Sequence, residues 1–330
     1  MTMKKTILIG LFALISITSC NVNGIWKDDN IDPDIKSQIH KLNYEIIDGF
    51  IENNPDKVFA VCNEDLVKKS KNEITNLIYQ VRQSFSKENF KILNEFYQKN
   101  TSKNVQTNVM TGISGDHDYI ISFKALNYEM FVSVGYFDND LNQTCITMIY
   151  GKDEDEWKLN IMQIGTLRIM NKDAFDWYVV AKSKYKKDYL IDAANDIALS
   201  SLLIRPANQL WHYQKEKEIE EFGDKIMADI HSKYTFPMTV DYVETKPQIF
   251  RIYPQGMNEG YFPMVQYTTS IDFNDTTSLS KECDKIHSKI GELYKGINKD
   301  KKMIFYRAFK SIPTTGNTSV ENYGFIRENE

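Results

Sequence analysis

The spacing of apolar residues changes between Phe85 and Val105, and that change constrains the fold more than any other feature of the chain. Before it, apolar residues recur every three or four positions, as one stripe of a helix requires. Asp32-Pro33 places a capping carboxylate before a proline at the first helical position, where the missing N–H costs nothing. Ile35, Ile39, Leu42, Ile46 and Phe50 follow at helical spacing. Asn54-Pro55 repeats the start signal before Val58, Val61, Cys62 and Leu66, and Ile74, Leu77, Ile78, Val81 and Phe85 mark a third helix. From Val105 onward the reading is strands: "DYIISFKAL", "YEMFVSVGYF", "QTCITMIYG" and "EWKLNIMQIG", separated by short polar turns. Short connections imply an antiparallel meander, and its apolar face needs the helices as cover.

The second half restarts the pattern. Lys172 to Ile204 holds two helical stretches, and a further helix runs from about Lys215 to Lys233. Strands are expected at Met238 to Val243, Ile249 to Tyr253 and Phe262 to Phe273. A helix carrying Leu279, Cys283, Ile286, Ile290 and Leu293 and the strand "MIFYRAF" come next. The tail beyond Pro313 is polar and expected to be mostly loose, with "YGFI" able to add an edge strand. The fold class expected is α+β: three helices on a curved antiparallel sheet over 32–170, then a helical hairpin and a second, mainly antiparallel α+β module over 171–330.

Helices first, then a sheet closing on "DEDEWKLNIMQIG", resembles the nuclear transport factor two-like fold over about 130 residues. That resemblance implies an open cone between helices and sheet, used by some members for binding and by others for catalysis. Tyr185, Tyr189 and Ala193 resemble the packing positions of one tetratricopeptide unit. The turn glycine and a second copy are missing, so a joining hairpin is expected and no peptide groove.

The N-terminus reads as a signal peptide over 1–19: Lys4 and Lys5, then an apolar run from Ile7 to Ile17 that is too short to span a bilayer. Ile17-Thr18-Ser19-Cys20 resembles the bacterial lipobox, which implies acylation of Cys20 and cleavage before it. Residues 20–31 read as a tether, and Lys27-Asp28-Asp29 resembles the surface-export signal of Bacteroidota lipoproteins. Two or more acyl chains give stable anchoring where one gives only reversible binding.

Loss of the first 19 residues, with two lysines and no acid, takes the formal net charge from −5 to −7. A mildly acidic chain carries no footprint for nucleic acid. Apart from Cys20, only Cys62, Cys145 and Cys283 occur, which excludes a disulfide framework and a four-cysteine zinc site. Free buried thiols are expected, with one Cys62–Cys145 bridge as the alternative. No nucleophile elbow, phosphate loop, paired zinc histidines or dinucleotide fingerprint is present, so no catalytic residue, metal or cofactor is assigned. His40, His212, His231 and His287 sit in helical contexts, and His212 beside Trp211 reads as an interdomain packing pair. Asp116-His117-Asp118 alternates across a strand and reads as turn residues. Glu45, Asp48 and Glu52 share a helix face that could line the cone or simply face water.

The most suggestive stretch is "FRIYPQGMNEGYFPMVQY". Its prolines and glycines read as an irregular connection presenting Tyr253, Tyr261 and Phe262 as binding residues. The reading is a membrane-anchored envelope lipoprotein, in the outer membrane, that binds a ligand, an envelope protein or a glycan. A hydrolase using the cone and a structural member of an envelope complex are the alternatives.

Overall fold

Residues 23–82, 85–316 and 319–329 are described by a computed structural model. The signal and the acylation expected at Cys20 lie outside the described residues. Much of the expected tether, by contrast, belongs to the fold. Gly24–Lys27 form strand β1, antiparallel to the end of β2 (Phe90–Lys99), with Gly24 opposite Lys99. The Asp28 carboxylate accepts from the Glu95 backbone N–H at 2.8 Å and from Asn94 Nδ2 at 3.1 Å. Lys27 Nζ donates to the Thr111 carbonyl at 3.0 Å, and Ile31 is only 2% exposed. This corrects the tether reading: polar side chains make most of these attachments, so low apolar content did not mean a free linker.

Three helices follow β1: α1 (Pro33–Ile51), α2 (Pro55–Val61) and α3 (Glu64–Val81). Asp32, Asn54 and Asn63 cap them by accepting from the backbone N–H groups of Asp34, Lys57 and Leu66. The remaining strands of this half are β3 (Val105–Met110), β4 (Tyr119–Ala125), β5 (Glu129–Asn139), β6 (Asn142–Asp153) and β7 (Glu156–Arg168). One antiparallel sheet has the order β1-β2-β5-β6-β7. The space between this sheet and the helices is filled by Ile39, Ile46, Phe50, Ile78, Phe131, Phe137, Tyr150 and their neighbours, all buried.

The second half contributes α4 (Ala174–Lys186), α5 (Leu190–Leu203), β8 (Trp211–Tyr213) and α6 (Glu216–Lys233). Helices α4 and α5 form the expected hairpin. Strands β9 (Met238–Thr239), β10 (Gln248–Met257) and β11 (Gly260–Thr268) precede α7 (Thr276–Ser288), α8 (Ile290–Leu293), β12 (Met303–Phe309) and β13 (Asn322–Glu328). Their sheet order is β13-β12-β11-β10-β9, antiparallel except for the β11–β12 pair, which the helical crossover through α7 and α8 makes parallel. The tail strand at "YGFI" is present as the edge strand β13.

The halves are interlocked. β8 pairs with β4, so the three-stranded sheet β3-β4-β8 draws strands from both sides of residue 170. Trp211, fully buried, stacks on Tyr119 at 3.6 Å between ring centroids. One apolar cluster continues from Phe96 and Val132 on the outer face of the first sheet, through α4, α5 and α6, to Tyr267 and Tyr306 of the second sheet. The chain is therefore α+β with mainly antiparallel sheets.

Candidate functional site

The expected recognition loop is a regular hairpin. β10 and β11 pair from Met257–Gly260 back past Tyr253–Met264, with Pro254 opposite Pro263. Two facing prolines have no N–H to exchange, so they occupy a non-hydrogen-bonded pair and their ring nitrogens face outward. No ladder is interrupted there: β9 pairs only with Gln248 and Ile249, and the β12 ladder begins at Met264. Phe262 is 8% exposed and clusters with Met264 and Phe305, Tyr253 packs beside them under Arg251, and Tyr261 packs on the main core. The irregular-loop premise is thus corrected, and the rings serve the sheet.

The interior expected to be an open cone is closed by the apolar side chains named above. Its buried polar knot joins Asn43 to Ser133 Oγ at 2.9 Å and to the Tyr150 hydroxyl at 2.7 Å, all from within the helix–sheet core. Glu45, Asp48 and Glu52 do not converge inside. Lys57 lies 2.9 Å from Glu52 and 3.8 Å from Asp48, and Lys87 lies 2.6 Å from Asp48.

His40 and His117 acquire partners that no local spacing announced. His40 Nε2 lies 2.7 Å from the buried Glu95 carboxylate, which Lys36 also approaches at 3.3 Å. His117 Nδ1 lies 2.7 Å from Asp173 Oδ2, and its Nε2 lies 4.0 Å from Asp176 Oδ1. Asp118 closes the preceding turn by accepting from the Gly115 N–H and the Thr111 hydroxyl, and these bonds hold its carboxyl below the usual range. One oxygen each of Asp173 and Asp176 is used in the capping box of α4. His117, Asp173 and Asp176 bring an imidazole nitrogen and two carboxylate oxygens within 4.8 Å of one another, and His117 Nδ1 and Asp173 Oδ2 already engage each other. The group works as a clasp between β4 and α4. Cys62, Cys145 and Cys283 are free, and burial pushes each thiol up to about 12.

A concave surface with convergent polar groups lies at the end of the first sheet where β1 begins. A cleft of ≈ 600 Å³ is bounded by the α2–α3 junction, the β6–β7 hairpin and the loops at Asn104 and Asn127. Its wall is a chain of amides. Asn63 Nδ2 donates to Asn160 Oδ1 at 2.5 Å, and Asn160 Nδ2 donates to Asn127 Oδ1 at 2.9 Å. Asn63 is fixed by capping α3 and by its own N–H, which donates to the Leu159 carbonyl at 2.9 Å. Gly151 faces Asn127 and Asn160, and a Cβ there would collide with both amides. Glu64, Asp65 and Asp153 stand exposed at the rim with the half-buried Lys158. The signal available in the sequence was Asn160, a polar residue inside the apolar strand "EWKLNIMQIG". Its partners lie 33 and 97 positions away, beyond any motif. No family model, no curated protein and no solved structure matches the chain.

Proposed function

We propose that this chain is an envelope lipoprotein, acylated at Cys20, that binds a hydroxyl-rich ligand of the glycan class in the amide-lined cleft. The Asn63–Asn160–Asn127 chain carries this reading. Each amide has two N–H donors and two oxygen lone pairs, so it can hold its place in the chain and still turn a second donor or acceptor toward the hydroxyls of a ligand, and the three are preset by one another. Helices before a sheet support the kinship with nuclear transport factor two-like folds, with the cleft displaced from a filled interior to the sheet's end.

Binding is favoured over hydrolysis. A glycosidase's general acid needs surroundings that keep its proton near neutral pH, whereas Glu64, Asp65 and Asp153 are exposed to water.

Metabolic labelling with an alkyne palmitate tests the anchor: label should enter the wild type and be absent from Cys20→Ala. Capture of arrayed glycans by the detergent-solubilised lipoprotein tests the cleft. Asp153→Ala combined with Lys158→Ala should abolish capture without moving the melting temperature, and capture unchanged by both substitutions would defeat the assignment.

A further inference from the structure

We infer that the lipid anchor holds the cleft-bearing end of the first sheet against the bilayer, so that the cleft opens on the headgroup layer. The inference rests on acylation of Cys20, as proposed above. Only Asn21, Val22 and Asn23 separate Cys20 from Gly24, which is already paired with Lys99. Four residue steps reach about 14 Å at full extension. The polar bonds of Lys27 and Asp28 keep β1 on the sheet, so the leash cannot lengthen without breaking them.

The strand register then shows what lies beside the leash. Lys99 faces Glu129, Met130 faces Gly151, and Gly151 faces Lys158. Gly24, the end of β2, the start of β5 and the β6–β7 hairpin therefore share one end of the sheet. Three strand spacings, about 14 Å, carry the line from β1 to β6 and the cleft. The opposite end, where β5 closes at Asn139, lies about 33 Å away at the usual rise per residue. The second half of the chain leaves from that far end, through β7 and α4.

The near end also carries groups suited to a membrane–water boundary. Tyr128 is 50% exposed with Lys103 over its ring, and tyrosine and lysine are common interfacial anchors. The acidic hairpin tip, Asp153 to Glu156, stands at the same end. It fits neutral headgroups and would be repelled by anionic ones.

The test uses the full-length acylated protein in vesicles of phosphatidylethanolamine and phosphatidylcholine containing a trace of acceptor-labelled lipid. The three native cysteines of the folded chain are buried, so a maleimide dye selects a cysteine introduced as Ser102→Cys or Leu141→Cys. Energy transfer should be several-fold greater from position 102 than from position 141. A Gly-Ser insert of about 20 residues between Asn23 and Gly24, with a root-mean-square span of about 25 Å, should erase most of that difference. Equal transfer from the two positions in vesicles that carry the protein would overturn the orientation alone. Failure of the wild type to float with the vesicles would overturn the anchor and the orientation with it.

Discussion

His117 Nδ1 and Asp173 Oδ2 meet at 2.7 Å although 56 positions separate them, and this contact ties the turn before β4 to the cap of α4. Asp173 also accepts from the Asp176 backbone N–H at 3.0 Å. The two partners therefore differ in what they hold. His117 is 54% exposed on its side chain, so His117→Ala should cost about 0.5 kcal/mol. Asp173→Ala removes the cap as well and should cost about 2 kcal/mol. Urea melts of the two variants check the order, and equal losses would show that the cap does not depend on Asp173.

Asp192 and Asp196 lie one turn apart on α5. Asp192, which is 1% exposed, is reached by Lys301 at 3.1 Å and by Lys184 at 3.9 Å. Burial raises both carboxyls, Asp196 from the ordinary 3.8 to about 7. Between those values the unfolded chain has released its Asp196 proton while the folded chain retains it. The Asp196 contribution to stability then falls as pH rises from about 4 to 7, by at most about 1.4 kcal/mol per pH unit. Asp196→Asn should flatten that slope and stabilise the protein at pH 8 but not at pH 4. Thermal melts across this range test it, and an unchanged slope would remove Asp196 as the cause.

Phe262 and Tyr253 separate core from surface in the β10–β11 hairpin. Phe262→Ala should cost about 3 kcal/mol, as for other buried aromatics. Tyr253→Ala, on a half-buried ring at the cluster's margin, should stay within about 1 kcal/mol. Denaturant midpoints of the two variants decide the point.

Gly151→Ala tests the amide wall without touching an amide. Its new Cβ would collide with the Asn127 and Asn160 side chains, so the chain of hydrogen bonds must open. The expected cost is about 1 to 3 kcal/mol, together with loss of glycan capture. Retained capture at full stability would show that the wall adapts.

Residues 23–170 alone should fail to fold. That fragment keeps the helices and the first sheet but leaves Tyr119 and Ile121 without the β8 strand and without the apolar faces of α4 and α5. Size-exclusion chromatography and circular dichroism should show aggregate or disorder, whereas co-expression with residues 171–329 should restore a soluble pair.

The elements that announce themselves by period and cap were legible. Asp32-Pro33 and Asn54-Pro55 start α1 and α2 where the sequence places them, and "MIFYRAF" is β12. β2 was not legible, because its register shifts between Ile92 and Asn94 and Glu95, Phe96, Tyr97 and Gln98 are all buried in succession. A bulge and burial of both faces erase the alternation that marks a strand. Pro254 and Pro263 misled for a different reason: each looks like a strand breaker alone, and only their mutual pairing makes both harmless. The amide cleft was illegible because its three asparagines meet only after the cap of α3, the loop between β4 and β5, and β7 have been brought together.

The β4–β8 pairing also sets an order of assembly. Synthesis from the N-terminus finishes β4 at Ala125, but the strand that covers its free edge ends at Tyr213, 88 residues later. At ordinary elongation rates the interval is about 4 to 18 s. During it, a hairpin whose Ile121 and Phe123 are destined for full burial presents unpaired backbone to any neighbouring chain. Until α4, α5 and β8 have docked, that edge stays open to pairing between molecules, and variants that slow their docking would lengthen the exposure.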